Sequence, residues 1–165
     1  MTSLTAELEQ EAQITSRVLE RVPGDKLTWR PHAKSMTLGQ LALHTATIPG
    51  GIAQIAANDS FEVDPARFGN PPQPASHAEI MQAHQSSVAA AKSYLDGLTS
   101  DQAEAMWRLT LGERQMLSMP RKWVVRSIMF NHLYHHRGQL SVYLRLLDIP
   151  VPIIYGGSAD ESPFK

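Results

Sequence analysis

The chain contains no cysteine, which excludes a disulfide framework, a thiolate metal site and a cysteine nucleophile. Any metal chemistry must draw on other ligands. No apolar run approaches the length that crosses a bilayer, and the opening MTSLTAELEQEAQ lacks the basic flank and apolar stretch of a secretory signal. A soluble, cytoplasmic protein is the expectation. There is no excess charge of either sign: fifteen Lys and Arg against sixteen Asp and Glu leave a net charge of -1. No cluster of Lys and Arg forms the stripe that tracks phosphates, so neither nucleic acid nor a membrane is an expected partner. Internal repeats and low-complexity tracts are absent as well.

What the chain does have is histidine, seven residues against four each of Phe and Tyr. That excess points to metal binding or acid/base work. With 165 residues the chain is long enough to bury a core as one domain over 1–165 without disulfides or a structural metal. The most informative stretch is PRKWVVRSIMFNHLYHHRGQLSVYLRLL, from Pro120 to Leu147. Val125, Ile128, His132, His136, Gln139 and Tyr143 recur there at steps of three and four, which predicts one long amphipathic helix with Pro120 in its first turn. Its stripe carries two histidines four residues apart, stacked on the same face and able to chelate a divalent ion. The order is His132-Leu133-Tyr134-His135-His136, without the glutamate that serves as general base in HExxH sites.

The rest of the chain reads as more helices. Leu4, Leu8, Ala12, Ile14, Val18 and Leu19, interleaved with Glu7, Glu9, Gln10, Glu11 and Arg17, form a first amphipathic helix that ends at Val22-Pro23-Gly24-Asp25. Residues 26–36 lack periodicity and predict an extended connection anchored by Trp29. Thr37 and Gln40 have the spacing of a capping box. The helix they open carries Leu41, His44, Ile48, Ile52 and Ile55 on its apolar face, with a kink expected at Pro49-Gly50-Gly51. A long polar connection follows over 57–75. Ser76 and Glu79 mark a third helix, with Ile80, Met81, His84, Val88, Ala91 and Leu95 inside and an end at Asp96-Gly97. Thr99 to Ala105 allows one short turn. The alternation about Gly112, from Trp107 to Leu117, predicts a small β-hairpin that must pack on the helices. The tail over 148–165 contains Pro150 and Pro152, cannot continue the helix, and should dock through Ile153, Ile154 and Tyr155.

A zinc-type site needs a third ligand beside His132 and His136. Both His44 and His84 lie on apolar faces of other helices, and the pattern alone does not choose between them. His135 is rotated about 100° from His136 around the helix and should miss such an ion. His32 and His77 are expected to face solvent. Arg137 could bind an acidic substrate, but as the residue after His136 it is expected to leave the stripe and pair with a carboxylate.

The run Thr37-Leu-Gly-Gln-Leu-Ala-Leu-His44-Thr-Ala resembles the DinB family of small helical proteins. So do Trp29-Arg-Pro-His32-Ala-Lys-Ser, His132-Leu-Tyr-His-His136-Arg137-Gly138-Gln139 and the closing Ile149-Pro-Val-Pro-Ile-Ile-Tyr-Gly. The likeness covers nearly the whole chain. It implies an all-α fold, a four-helix bundle of up-down-down-up connectivity with long crossover loops, and a divalent metal held by His44, His132 and His136. It also implies a homodimer, which the several apolar helix faces would suit. Members of the family look like metal-dependent thiol transferases or isomerases acting with low-molecular-weight thiols. The family name refers to damage-inducible expression and does not specify a reaction.

Two classes of function compete. In the first, a divalent ion (Zn, Ni or Fe, since imidazole suits all three) keeps an open position and activates a thiol or water of a small-molecule substrate, in a transferase-like or hydrolase-like reaction. The pocket would be walled by Leu41, Ile48, Ile128 and Tyr143 and screened by the tail at Tyr155, with His84, Glu79, Tyr134 and Gln139 as candidates to shape it. In the second, the ion is structural and the protein is a non-catalytic metal-binding or interaction protein. A metal-free bundle with mutually satisfied histidines is the third alternative.

Overall fold

The capping residues set the helix starts. In the computed structural model, which describes residues 4–67 and 71–162, the Thr37 hydroxyl accepts from the Gln40 amide at 3.1 Å and the Gln40 side chain accepts from the Thr37 amide at 2.9 Å. That closed box starts α2 (Leu38–Ala56). Ser76 accepts from the Glu79 amide at the start of α3 (His77–Gly97), but the Glu79 carboxylate reaches past the cap residue to the Ala75 amide. A second full box, Thr99 with Gln102, builds the short α4 (Ser100–Glu104). The first helix, α1, spans Leu4–Glu20.

The predicted hairpin forms as β2 (Met106–Leu111) and β3 (Arg114–Pro120). Gly112 takes φ +56° at the first central position of the two-residue turn, a conformation that a side chain resists. The all-helical expectation needs correcting here, because Ser60–Glu62 forms a third strand, β1, parallel to β2 in the order β1-β2-β3. The protein is mostly helical with a small three-stranded sheet. Of the connection expected over 57–75, residues 68–70 lie outside the described residues, as do 163–165 of the tail. Trp107, fully buried, donates from its indole to the Ile55 carbonyl at 3.1 Å and anchors the sheet on the end of α2. Arg121 closes the same end. Its guanidinium donates to the carbonyls of Ala56, Asn58 and Gln102 and to the Asp59 carboxylate, which satisfies a helix C-terminus that would otherwise be left with bare carbonyls.

The last helix also departs from the expectation of one regular helix. It begins after Pro120 with a single turn, α5 (Arg121–Trp123), continues as a seven-residue π-helical segment (Val124–Phe130), and becomes α-helical again as α6 (Asn131–Leu146). α6 ends with Asp148 at φ 57°. The Ile149 amide donates to Leu144 and the Asp148 amide to Arg145, the Schellman pattern with Asp in the place usually taken by Gly.

Helix α2 packs against α3 and α6, and α1 against α3 and α6. One core cluster joins Val18, Leu19, Leu38, Leu41, Ile80, Leu140 and Leu144; a second joins Leu8, Ala53, Leu95, Val125, Met129 and Phe130. Each of these side chains larger than alanine contributes ~1.5–3 kcal/mol on leaving water. The tail docks, but through Ile149, Val151 and Ile154 against the first cluster; of the three residues expected to anchor it, Ile154 alone packs on that cluster. Pro49 stays inside α2, where it has no N–H for the Thr45 carbonyl. The next amide, Gly50, donates sideways to the Ser87 hydroxyl at 2.8 Å. A Cβ on Gly50 would lie 2.8 Å from the Ser87 Cα, so this glycine is what lets α2 approach α3.

Candidate metal centre

Three imidazoles meet between α2 and α6. The N-terminus of α2 is fixed by its box, by the Leu38 and Gly39 amides donating to Trp29 and Leu27, and by Gln40 donating to the Pro71 carbonyl. His44 lies on the second turn of the helix held in this way. His132 is the second residue of α6, directly after the π-helical segment, and His136 follows one turn later. The Nε2 atoms of His44 and His132 are 3.2 Å apart. Ring centroids are separated by 5.0 Å for His44 and His132, 4.5 Å for His44 and His136, and 4.6 Å for His132 and His136. One ring nitrogen from each lies within 4.8 Å of the other two.

The donor set suits a divalent ion. Bonds of about 2.0–2.1 Å in tetrahedral geometry separate two donor atoms by about 3.3–3.4 Å, close to the spacing of His44 and His132. Burial is the first cause of depressed basicity in all three rings. It lowers His44 to about 4, helped by His136 and His132. It lowers His132 to about 4, helped by His136 and His135. His136 is also lowered by burial, against an opposing pull from its bond to Gln139. Neutral imidazole is the ligating form, so no proton has to be expelled near neutral pH. Among the described residues no carboxylate or further histidine joins the group.

The other sequence candidates sit elsewhere. His84 is 4% exposed and faces α1, with Nε2 3.1 Å from the Ala12 carbonyl and Nδ1 without a hydrogen bond. Burial lowers its pKa against the pull of the Ala12 and Ala46 carbonyls. His135 is exposed, its ring centroid 4.8 Å from that of His136 but outside the triad. His32 is exposed, as expected, whereas His77 is half-buried on the Leu19 carbonyl. Glu79 is occupied by its cap, and Tyr134 donates to Glu7 at 2.7 Å. The four residues expected to wall one pocket divide: Leu41 and Tyr143 belong to the first core cluster, Ile128 packs with Trp107, and Ile48 is buried. A surface cleft of about 590 Å³ lined by Tyr94, Asp101, Gln102 and Arg121 contains no triad residue.

Arg137 pairs with a carboxylate but does not leave the core. It is 1% exposed and 2.7 Å from Glu11, whose side chain is 7% exposed. The guanidinium also donates to the Thr15 hydroxyl at 3.1 Å and to the Tyr155 hydroxyl, which itself donates to Glu11 at 2.8 Å. Burial and the bond to Glu11 push the Tyr155 phenol up to about 12. The tail tyrosine therefore binds on the α1 side of α6 and does not screen the triad. Sequence reading missed Glu11 as a buried group because its neighbours Glu9 and Gln10 are exposed and the three read as one polar face.

A mostly helical chain with three converging neutral imidazoles from two helices defines a class of small helical proteins with a candidate histidine metal site. The chain belongs to the DinB family, whose model matches residues 1–163. Its fold is similar to that of a DinB-like protein from Bacillus cereus, with a TM-score of 0.70 and 23% identity over 92% of this chain and 95% of that one. A DinB-like protein from Bacillus subtilis is similar at a TM-score of 0.69 and 18% identity, over 92% and 96% of the two chains. No curated protein matches the sequence. Among the described residues no helix is long and apolar enough to cross a membrane.

Proposed function

We propose that His44, His132 and His136 hold a divalent ion as the centre of a metal-dependent enzyme acting on a small molecule, with a low-molecular-weight thiol or water as the reacting group. The observation that carries this reading is the convergence of three neutral imidazoles with no fourth protein ligand beside them among the described residues. A structural site is closed by protein ligands, whereas a catalytic one keeps a position free. The bound ion would supply Lewis acidity, acidifying a thiol or water presented to that position. The chain's own residues provide the rest: His44 is held by the capped start of α2, and His132 and His136 lie one turn apart on a single rigid helix. Zn, Ni and Fe all suit such ligands. The same reading takes α1, α2, α3 and α6 as a four-helix bundle of up-down-down-up order, supported by the pairings of α2 with α3 and α6 and of α1 with α3 and α6. It places the protein in the cytoplasm, as a homodimer.

The first test is metal content in protein purified without a histidine tag. His44→Ala and His132→Ala should each abolish tight binding, and His135→Ala should leave it intact. Cobalt-substituted protein is then titrated with small thiols and electrophiles, following metal absorption and loss of free thiol. A spectrum that no added ligand changes would make the site structural and end the enzyme reading.

A further inference from the structure

We infer that Gln139 is a positioning residue that fixes the tautomer of His136, so that all three triad histidines present Nε2. The inference rests on the metal-centre reading for its purpose, but its evidence is a separate contact. His136 Nδ1 and Gln139 Oε1 are 2.7 Å apart, one helical turn along α6. A neutral imidazole carries one N–H and one lone pair, and the partner of one nitrogen decides which role falls to the other. With the amide oxygen accepting, the proton sits on Nδ1 and the Nε2 lone pair is directed inward. That matches His44 and His132, whose Nε2 atoms already face each other.

The reverse arrangement, with the amide NH₂ donating to Nδ1, would put the proton on Nε2 and aim an N–H at the point the other two nitrogens share. Both arrangements satisfy the hydrogen bond, but only the first leaves three lone pairs converging. Gln139 is exposed while His136 is 8% exposed, so the free NH₂ of the amide can be hydrated in the first arrangement. Among the described residues Gln139 is the one side chain that hydrogen-bonds the outer nitrogen of a triad imidazole. Partners of this kind typically change metal affinity by about 10–100-fold when removed.

The test uses the full chain with histidine ¹⁵N-labelled, treated with chelator, and reads the tautomer of His136 from long-range ¹H–¹⁵N correlations. Zinc affinity is measured in parallel by competition with a chromophoric chelator. Wild type should show His136 protonated on Nδ1. Gln139→Glu, which can only accept, should keep that tautomer and hold zinc at least as tightly. Gln139→Leu should move the population toward the Nε2–H form and weaken zinc by about 10–100-fold with an unchanged far-ultraviolet circular dichroism spectrum. A wild-type His136 protonated on Nε2, or a Gln139→Glu protein that loses the Nδ1–H form, would overturn the inference. If wild type shows the Nδ1–H form yet binds no zinc, nickel or iron, the metal reading fails while the tautomer assignment stands.

Discussion

Replacing Glu11 by Gln tests the energetics of the buried ion pair directly. The substitution preserves size and removes the charge 2.7 Å from a guanidinium that is 1% exposed. Breaking a buried pair by removing one partner costs about 3–5 kcal/mol, because the remaining charge is left desolvated. Arg137 keeps the Thr15 hydroxyl, the Glu11 backbone carbonyl and the Tyr155 hydroxyl, and its guanidinium lies 5.0 Å and 5.4 Å from the Tyr155 and Tyr134 ring centroids. Those contacts place the expected loss at the lower end, about 3 kcal/mol. For a domain of this size that corresponds to a fall in Tm of about 6–12 °C. Urea denaturation monitored by tryptophan fluorescence and circular dichroism gives the number. The double variant Glu11→Leu with Arg137→Met removes both charges and fills the space, so it should be more stable than Glu11→Gln alone. If Glu11→Gln unfolds within about 0.5 kcal/mol of wild type, or the double variant loses the sum of the single effects, the pair is not what holds α1 to α6.

Neighbouring glycines in α2 should respond oppositely. Gly50→Ala drives a Cβ into the Ser87 backbone at 2.8–2.9 Å and should cost about 1–3 kcal/mol by overpacking, whereas Gly51→Ala meets nothing within 4 Å and should gain about 0.5–1 kcal/mol; equal effects in thermal melts would contradict the close approach of α2 to α3. Glu7 is held below its ordinary pKa, first by its hydrogen bond from Arg126 and also by Tyr134. Its folded pKa is depressed, so it contributes stability above the ordinary carboxylate value, and that contribution fades as pH falls through the folded value. Glu7→Gln should flatten this acid loss in denaturation midpoints measured across pH, and an unchanged slope would count against the assignment. Asp148→Gly relieves a left-handed backbone at φ 57° and should raise stability by up to about 1 kcal/mol; a lower melting temperature would show that the Asp side chain outweighs the strain.

Much of the helical framework could be read from local chemistry. The Thr37–Gln40 box, the Gly112 turn and the break after Leu147 each depend on residues within a few positions of one another, and each lies where the sequence places it. The approach of His44 to the pair on α6 was legible only through resemblance, because periodicity ranked His44 and His84 equally. Most of the misreadings are long-range. β1 is three residues inside a polar connection and exists only because β2 offers it an edge. The buried face of α6 runs through Leu133, His136, Arg137, Leu140 and Leu144, displaced from the stripe drawn through Gln139 and Tyr143. An arginine can occupy that face because Glu11, Thr15 and Tyr155, distant in sequence, satisfy it.

The π-helical segment matters as a phase adjuster. Arg121 binds the end of α2 and Arg137 binds α1, so the last helix is clamped at two points sixteen residues apart on different neighbours. A regular helix between two clamps has no freedom of rotation: each residue advances it by about 100°, and one residue too many would turn His132 and His136 away from His44. A wider turn takes up one extra residue without twisting the turns C-terminal to it. Deleting a single residue from Val124–Phe130 would then convert the segment to ordinary helix and preserve the direction of the histidines, whereas the same deletion between His132 and His136 would reduce their spacing to three residues and turn one imidazole by about 100° relative to the other.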